Sequence, residues 1–151
     1  MWKPIAIATL ISGTLDILLA TFLSLARGGD PANMLRFVAS GPFPQATDMG
    51  AAGSLLGLIV HFSLMAIMAA AFMIVVRAKP DLLKKPVITG LAYGLITYVI
   101  LDLLIVPLRF PAAFPPKPMS IVTQLFAHLV LVGLVFAFVA RRWAKVRPSD
   151  G

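Results

Sequence analysis

The sequence contains no cysteine and no glutamate, and these absences exclude several kinds of site. Without cysteine the chain cannot form a disulfide, a zinc–thiolate centre or a thiol nucleophile. Aspartate provides only six side-chain carboxylates, and histidine occurs only twice. Charged residues make up 13% of the chain, about half the share that is usual in soluble domains. Each ionisable residue that falls within apolar sequence is therefore informative.

The sequence is instead rich in long apolar stretches, and hydrophobic residues make up 60% of it. A helix needs about 20 apolar residues to cross the hydrocarbon core of a bilayer. Four stretches reach that length, so we predict an all-α integral membrane protein built as an antiparallel four-helix bundle. The predicted spans of this single transmembrane domain cover residues 5–26, 50–76, 87–106 and 119–140.

The segment between the first two spans has the signals of a short helix. Asp30 can cap a helix that begins at Pro31, and Gly41 can end it. The residues between them leave one apolar face. We therefore predict a short amphipathic helix over residues 31–40, lying on the membrane surface.

Prolines mark the segment after the third span, residues 107–118, which contains five of them. Pro107 is expected to end the helix before it, because proline disfavours helical geometry in the preceding residue. The remainder is expected to be a stiff, extended interfacial loop.

Basic residues predict the orientation of the bundle. The formal net charge is +7, but the basic residues flank apolar stretches, so we expect contact with the lipid bilayer and no nucleic acid partner. Nine of the 13 fall at the two termini and between the second and third spans, and four fall in the other two loops. Cytoplasmic loops carry the excess of Lys and Arg, so both termini are expected in the cytoplasm.

Three ionisable residues are expected at nearly the same depth in the membrane. Asp16, His61 and His128 lie on different spans, each roughly 14–15 Å from the outer end of its span at the helical rise per residue. Asp102 is expected nearer that end, and Tyr98 and Gln124 add secondary polar groups. Ionisable residues at such depth are costly and are candidate functional residues.

Small residues predict where the helices approach one another closely. The second span contains Gly53 and Gly57, and the third contains Gly90 and Gly94, both at GxxxG spacing. Such glycines allow helix backbones to pack together inside a membrane bundle.

The buried polar layer has three interpretations. Hydrogen-bonded Asp and His side chains can simply hold helices together, or an Asp–His pair can relay protons or bind a small solute. Alternatively, His61 and His128 could ligate a b-type haem between facing helices. No cofactor is predicted otherwise, and the sequence shows no catalytic motif and no metal site.

Several short motifs carry a resemblance to a known group of proteins. They include Leu15-Asp16-Ile17, the segment 35–41, His61-Phe62, Tyr93-Gly94, Val106-Pro107-Leu108 and His128 with Val132-Gly133-Leu134. Together they resemble a family of small, uncharacterised four-span proteobacterial inner-membrane proteins. The resemblance implies a bacterial inner-membrane location and a four-span architecture, and it implies no activity.

The expected function is that of a non-enzymatic membrane protein, an accessory or scaffold subunit of a larger membrane complex. A small bundle with no large soluble domain has little room to act alone. The alternatives are a small transporter or proton-coupled site that uses Asp16, His61 and His128, acting as a homo-oligomer or alone, and a bis-histidine haem protein.

The orientation can be tested by cysteine labelling, because the chain has no native cysteine. Cysteines placed at Lys79 and Arg147 should be protected from an impermeant thiol reagent in intact cells, and one at Asn33 should react. Labelling at Lys79 in intact cells would reverse the predicted topology.

Overall fold

The computed structural model of the protein describes residues 2–145, with the side chain of Lys145 left out. Arg147, which the charge count includes, lies outside the described residues. The predicted all-α membrane bundle with a short additional helix is confirmed. The five helices are α1 (Trp2–Ala26), α2 (Pro31–Ser40), α3 (Gly50–Ala78), α4 (Pro86–Arg109) and α5 (Pro118–Ala144).

The predicted end of the third span at Pro107 is wrong, because α4 continues to Arg109. Proline has no N–H and its ring crowds the preceding turn of an α-helix. Here Val99–Ile105 form wider π-helical turns, and the Val106 N–H bonds to the Leu101 carbonyl five residues earlier. The changed hydrogen-bond register accommodates Pro107. The segment 107–118 is therefore not extended throughout, since it begins in α4 and includes a 3₁₀ turn at Pro111–Ala113.

Two halves of the bundle differ in their packing. The terminal half (residues 2–12, 65–93 and 132–144) contains an apolar core in which Phe72 and Phe136 are at most 1% exposed. Tyr93 packs against both rings, and its hydroxyl donates to the Met68 carbonyl oxygen at 2.7 Å. The loop half (residues 13–64 and 94–131) contains α2 and most of the buried ionisable groups.

Helix α2 packs against the first turns of α3, and the glycines of α3 make this possible. A Cβ at Gly57 would overlap the Leu35 carbonyl oxygen, and one at Gly53 would overlap the Ala46 carbonyl oxygen. The Ser54 hydroxyl donates to the Ala32 carbonyl oxygen at 3.0 Å. The first GxxxG pair therefore holds the short helix and the turn that follows it, rather than another membrane span.

Helices α4 and α5 cross at the second pair of glycines. A Cβ at Gly90 would lie 2.7 Å from the Gly133 carbonyl oxygen, and one at Gly94 would overlap the His128 carbonyl oxygen. Gly133 was not predicted as a packing residue, and it meets the backbone of Gly90 in the same way. This close backbone contact fixes the position of His128 relative to α4.

Gly57→Leu should destabilise the protein by about 1–3 kcal/mol, the usual cost of overpacking, because the new side chain must displace the Leu35 backbone. Ile59→Leu is the matched control, since Ile59 is 55% exposed on the outer surface of the same helix. Thermal unfolding in detergent measures both. Equal stability of the two variants would contradict the described contact between α2 and α3.

Candidate functional site

Two Asp–His pairs lie in the membrane-spanning part of the bundle. Asp16 on α1 faces His61 on α3, and Asp102 on α4 faces His128 on α5. Each of the four long helices thus contributes one ionisable side chain. Both histidines are 8% exposed, whereas the aspartate side chains are about a fifth exposed, at 22% and 20%.

The first pair is oriented by a backbone carbonyl group. His61 Nε2 lies 2.9 Å from the Gly13 carbonyl oxygen, which can only accept, so Nε2 carries a proton and donates it. His61 Nδ1 then lies 3.8 Å from Asp16 Oδ2, too far for a direct hydrogen bond but within ion-pair range. A bare Nδ1 lone pair beside a bare carboxylate would be repulsive. A second proton, on Nδ1 or on the carboxyl group, removes that repulsion.

The second pair is oriented by a threonine. The Thr97 hydroxyl lies 2.9 Å from the Gly94 carbonyl oxygen and 2.9 Å from His128 Nδ1. Donation of its single proton to Gly94 leaves the hydroxyl to accept from a protonated Nδ1. His128 Nε2 lies 3.0 Å from Asp102 Oδ2, at hydrogen-bond distance. In that arrangement a further proton lies between Nε2 and Oδ2. The Tyr98 ring packs edge-on against His128 and shields it.

Both members of the second pair lie in π-helical turns. Asp102 belongs to Val99–Ile105, and His128 belongs to Ala127–Leu134. Such turns are uncommon and occur frequently at functional sites. They rotate the following side chains relative to a regular α-helix, which a sequence pattern based on α-helical periodicity does not anticipate.

A cavity of about 780 Å³ occupies the loop half, and all four ionisable side chains line it. Most of its wall is apolar, and leucine, isoleucine and valine side chains of α1, α3 and α4 contribute to it. The packed core around Phe72 and Phe136 fills the terminal half on the other side of the Asp–His pairs. The cavity therefore lies on only one side of the polar layer.

Two arginines line the cavity near the ends of α1 and α4. Arg27 follows the last residue of α1 and is exposed. Arg109 donates from Nε to the Gly41 carbonyl oxygen and from Nη2 to the Ser40 carbonyl oxygen, both at 2.8 Å. It thus binds the carbonyl end of α2, where a cation is favourable. The cavity has a basic end at the arginines and a polar floor at the Asp–His pairs.

The structure places all three residues of the predicted polar layer on this cavity. Asp16 lies nearest to His61, whereas His128 pairs with Asp102, which the sequence assigned to a secondary group nearer the membrane surface. Gln124 lies in the cavity wall, and Tyr98 packs beside His128. These contacts join the residues into one site.

Sequence reasoning missed the orienting role of Thr97, the Gly13 carbonyl and the two arginines. Thr97 was recognisable only as one small polar residue on the inner face of its span. Arg109 lies seven residues after Asp102, so helical periodicity would have put both on one face, had Pro107 not been taken as the helix end. Backbone acceptors such as that of Gly13 leave no signal in a sequence.

The Thr97 hydroxyl, the His128 imidazole and the Asp102 carboxylate form a row that resembles a hydrolase triad, but its chemistry differs. Thr97 does not line the cavity. An attacking nucleophile must be reachable by its substrate as well as activated by the histidine. Thr97 does not meet the first condition and serves to position His128.

Metal and haem binding fit the site less well than proton exchange. The described residues contain no group of three or more potential ligands that could hold a metal ion. Both ring nitrogens of each histidine already face protein partners. Axial ligation of haem would require His61 and His128 each to release one of them.

Comparison with known protein families, with curated proteins and with solved structures finds no match for this chain. The side-chain geometry and the cavity are therefore the grounds on which a function is proposed.

A double-mutant cycle tests the stronger pair. Asp102→Ala and His128→Ala should be coupled by about 1 kcal/mol, within the range for hydrogen bonds between membrane helices. The cycle that combines Asp102→Ala with His61→Ala is the control and should give a smaller coupling. Unfolding in mixed micelles measures both, and equal couplings would show that Asp102 has no preferred histidine.

Proposed function

We propose that this chain is an inner-membrane protein with a proton-coupled binding site for a small solute. The observation that carries the proposal is the position of two Asp–His pairs on one cavity that lies on one side of the polar layer. The count of basic residues favours a periplasmic position for the cavity. Solute and protons would enter from there.

Proton exchange follows from the hydrogen-bond donors and acceptors. When His61 Nε2 donates to Gly13 and His128 Nδ1 donates to Thr97, the other ring nitrogen of each histidine faces a carboxylate oxygen. One added proton then avoids an unfavourable buried charge in each pair. It lies between Nε2 and Oδ2 in the second pair, and on either Nδ1 or the carboxyl group in the first. That proton can leave or return when a solute changes the charge or hydration of the cavity.

One-sided access follows from the distribution of packed and open volume. Residues of the loop half line the cavity, and the terminal half is filled by an apolar core. A continuous polar path across the membrane would dissipate the proton gradient. The present arrangement favours proton exchange with one side of the membrane only. A carrier protein has the same one-sided access in one of its two conformational states.

The accessory or scaffold role remains compatible with such a site, because a subunit of a larger complex can carry a proton-coupled cavity. No contact among the described residues favours that role specifically. A bis-histidine haem is disfavoured by the partners already present on both rings. The geometry thus favours the proton-coupled alternative over the other two.

Infrared difference spectroscopy on the protein in nanodiscs tests proton exchange at the pairs. As the pH of the bath is raised, the protein should lose a carboxyl C=O band where the aspartate holds the proton, or an imidazolium ring band where the histidine holds it. Asp16→Asn and Asp102→Asn should each remove part of that change, because an amide holds no exchangeable acid proton. Asp81→Asn is the matched control, since Asp81 is 85% exposed in the loop between α3 and α4.

Sidedness is tested with membrane vesicles of both orientations. The Asp16 and Asp102 bands should respond quickly to an external pH jump only when the α2 side faces the bath. Spectra that the two substitutions leave unchanged would exclude proton exchange at the pairs. An equally fast response in both orientations would exclude one-sided access.

A further inference from the structure

We infer that the solute is a hydrophobic anion, with a carboxylate or phosphate group attached to an apolar body of drug-like or fatty-acid-like size. This inference rests on the proposed function, because it assigns a ligand class to the same cavity. It comes from the charges, the wall and the free hydrogen-bond donors of the cavity.

The formal charges on the cavity favour an anion. Each Asp–His pair with one shared proton is neutral overall, whichever partner holds the proton. Arg27 and Arg109 are then the charged groups that remain among the residues lining the cavity. Tyr98, which packs beside His128, is uncharged near neutral pH. A cation entering this cavity would pass two arginines before it reached the aspartates.

Arg27 and Arg109 have N–H groups that remain free to bind a ligand. A guanidinium group has five N–H bonds, and Arg109 uses one each from Nε and Nη2 on carbonyl oxygens of α2. Within the part of the chain that the structure describes, the Arg27 side chain has no hydrogen bond or ion pair. Arginine is the side chain best suited to bind carboxylate and phosphate groups.

The wall between the two ends suits an apolar body. From Asp16 to Arg27 the helical rise gives a distance of roughly 16 Å along α1. Over that distance the cavity is lined mainly by apolar side chains such as Leu23, Val60 and Ile105. Its volume of about 780 Å³ falls within the usual range for small-molecule sites. A small anion without an apolar body would leave most of this wall in contact with water.

The polar floor suggests how binding couples to protons. A ligand anion that reaches Asp102 and His128 can accept the proton of the pair: the ligand becomes a neutral acid, the pair becomes an anion, and the total charge in the cavity is unchanged. The acid oxygen gains the proton, and the Asp–His pair loses it. Movement of the ligand back to the arginines reverses the exchange.

Calorimetric titration of the full chain in zwitterionic phosphatidylcholine nanodiscs tests the ligand class. The probe is octanoate, with octylamine as a cation of the same chain length. Octanoate should bind and octylamine should bind at least tenfold more weakly. Arg27→Gln, and Arg27→Gln combined with Arg109→Gln, should weaken octanoate binding by about tenfold or more. Arg142→Gln is the matched control, because Arg142 is exposed in the terminal half.

Arg109 also holds α2, so the single Arg27→Gln variant keeps the test valid if the double variant fails to fold. Octylamine binding as tight as octanoate binding, or octanoate binding that Arg27→Gln leaves unchanged, would overturn the inference. Inclusion of phosphatidylglycerol distinguishes two sources of the anion. Arginine-dependent competition by this lipid identifies a lipid headgroup as the occupant, and its absence identifies a free acid.

The two proposals fail in distinguishable ways. Infrared bands of Asp16 and Asp102 that respond to pH without any octanoate binding would preserve proton exchange and reject the ligand class. Arginine-dependent octanoate binding without a carboxyl response would preserve the anion site and reject its coupling to protons.

Discussion

The structure depends on the pairing of each membrane-embedded carboxyl group with a histidine on a neighbouring helix. An isolated ionised aspartate in the membrane interior would cost several kcal/mol, and a shared proton avoids most of that cost. The pairing joins α1 to α3 and α4 to α5 through Asp16–His61 and Asp102–His128. Backbone and hydroxyl partners on the far side of each ring then fix its orientation. The same contacts that stabilise the bundle are the ones to which the proposed proton exchange is assigned.

Close packing of helix backbones determines the positions of Asp102 and His128. Gly90, Gly94 and Gly133 bring α4 and α5 together beside His128, and wide π-helical turns orient Asp102 and His128 toward each other. Arg109 links the end of α4 to the end of α2, so the short helix that lines the cavity is attached to the helix that carries Asp102. A change in the Asp102–His128 pair could in this way move α2.

Much of the architecture was predictable, because the bilayer imposes long apolar helices and few ionisable residues inside them. The four spans, α2 and the grouping of Asp16, His61 and His128 in one region of the bundle followed from length, caps and depth. The partner of His128 did not, because π-helical turns and the continuation of α4 through Pro107 depend on backbone hydrogen bonds that propensity does not encode. The contact of Gly57 with α2 was likewise hidden, since a GxxxG motif does not specify its partner.

Nitrogen NMR of the two histidines, with the protein in lipid bilayers, tests the central claim most directly. If each pair holds one added proton, both ring nitrogens of His128 should show hydrogen-bonded, partly protonated character, and His61 Nε2 should show that of a hydrogen-bond donor. Asp16→Asn should then change mainly the His61 signals, and Asp102→Asn mainly those of His128. Two simple neutral imidazoles, each with one unperturbed acceptor nitrogen and no response to either substitution, would contradict the account.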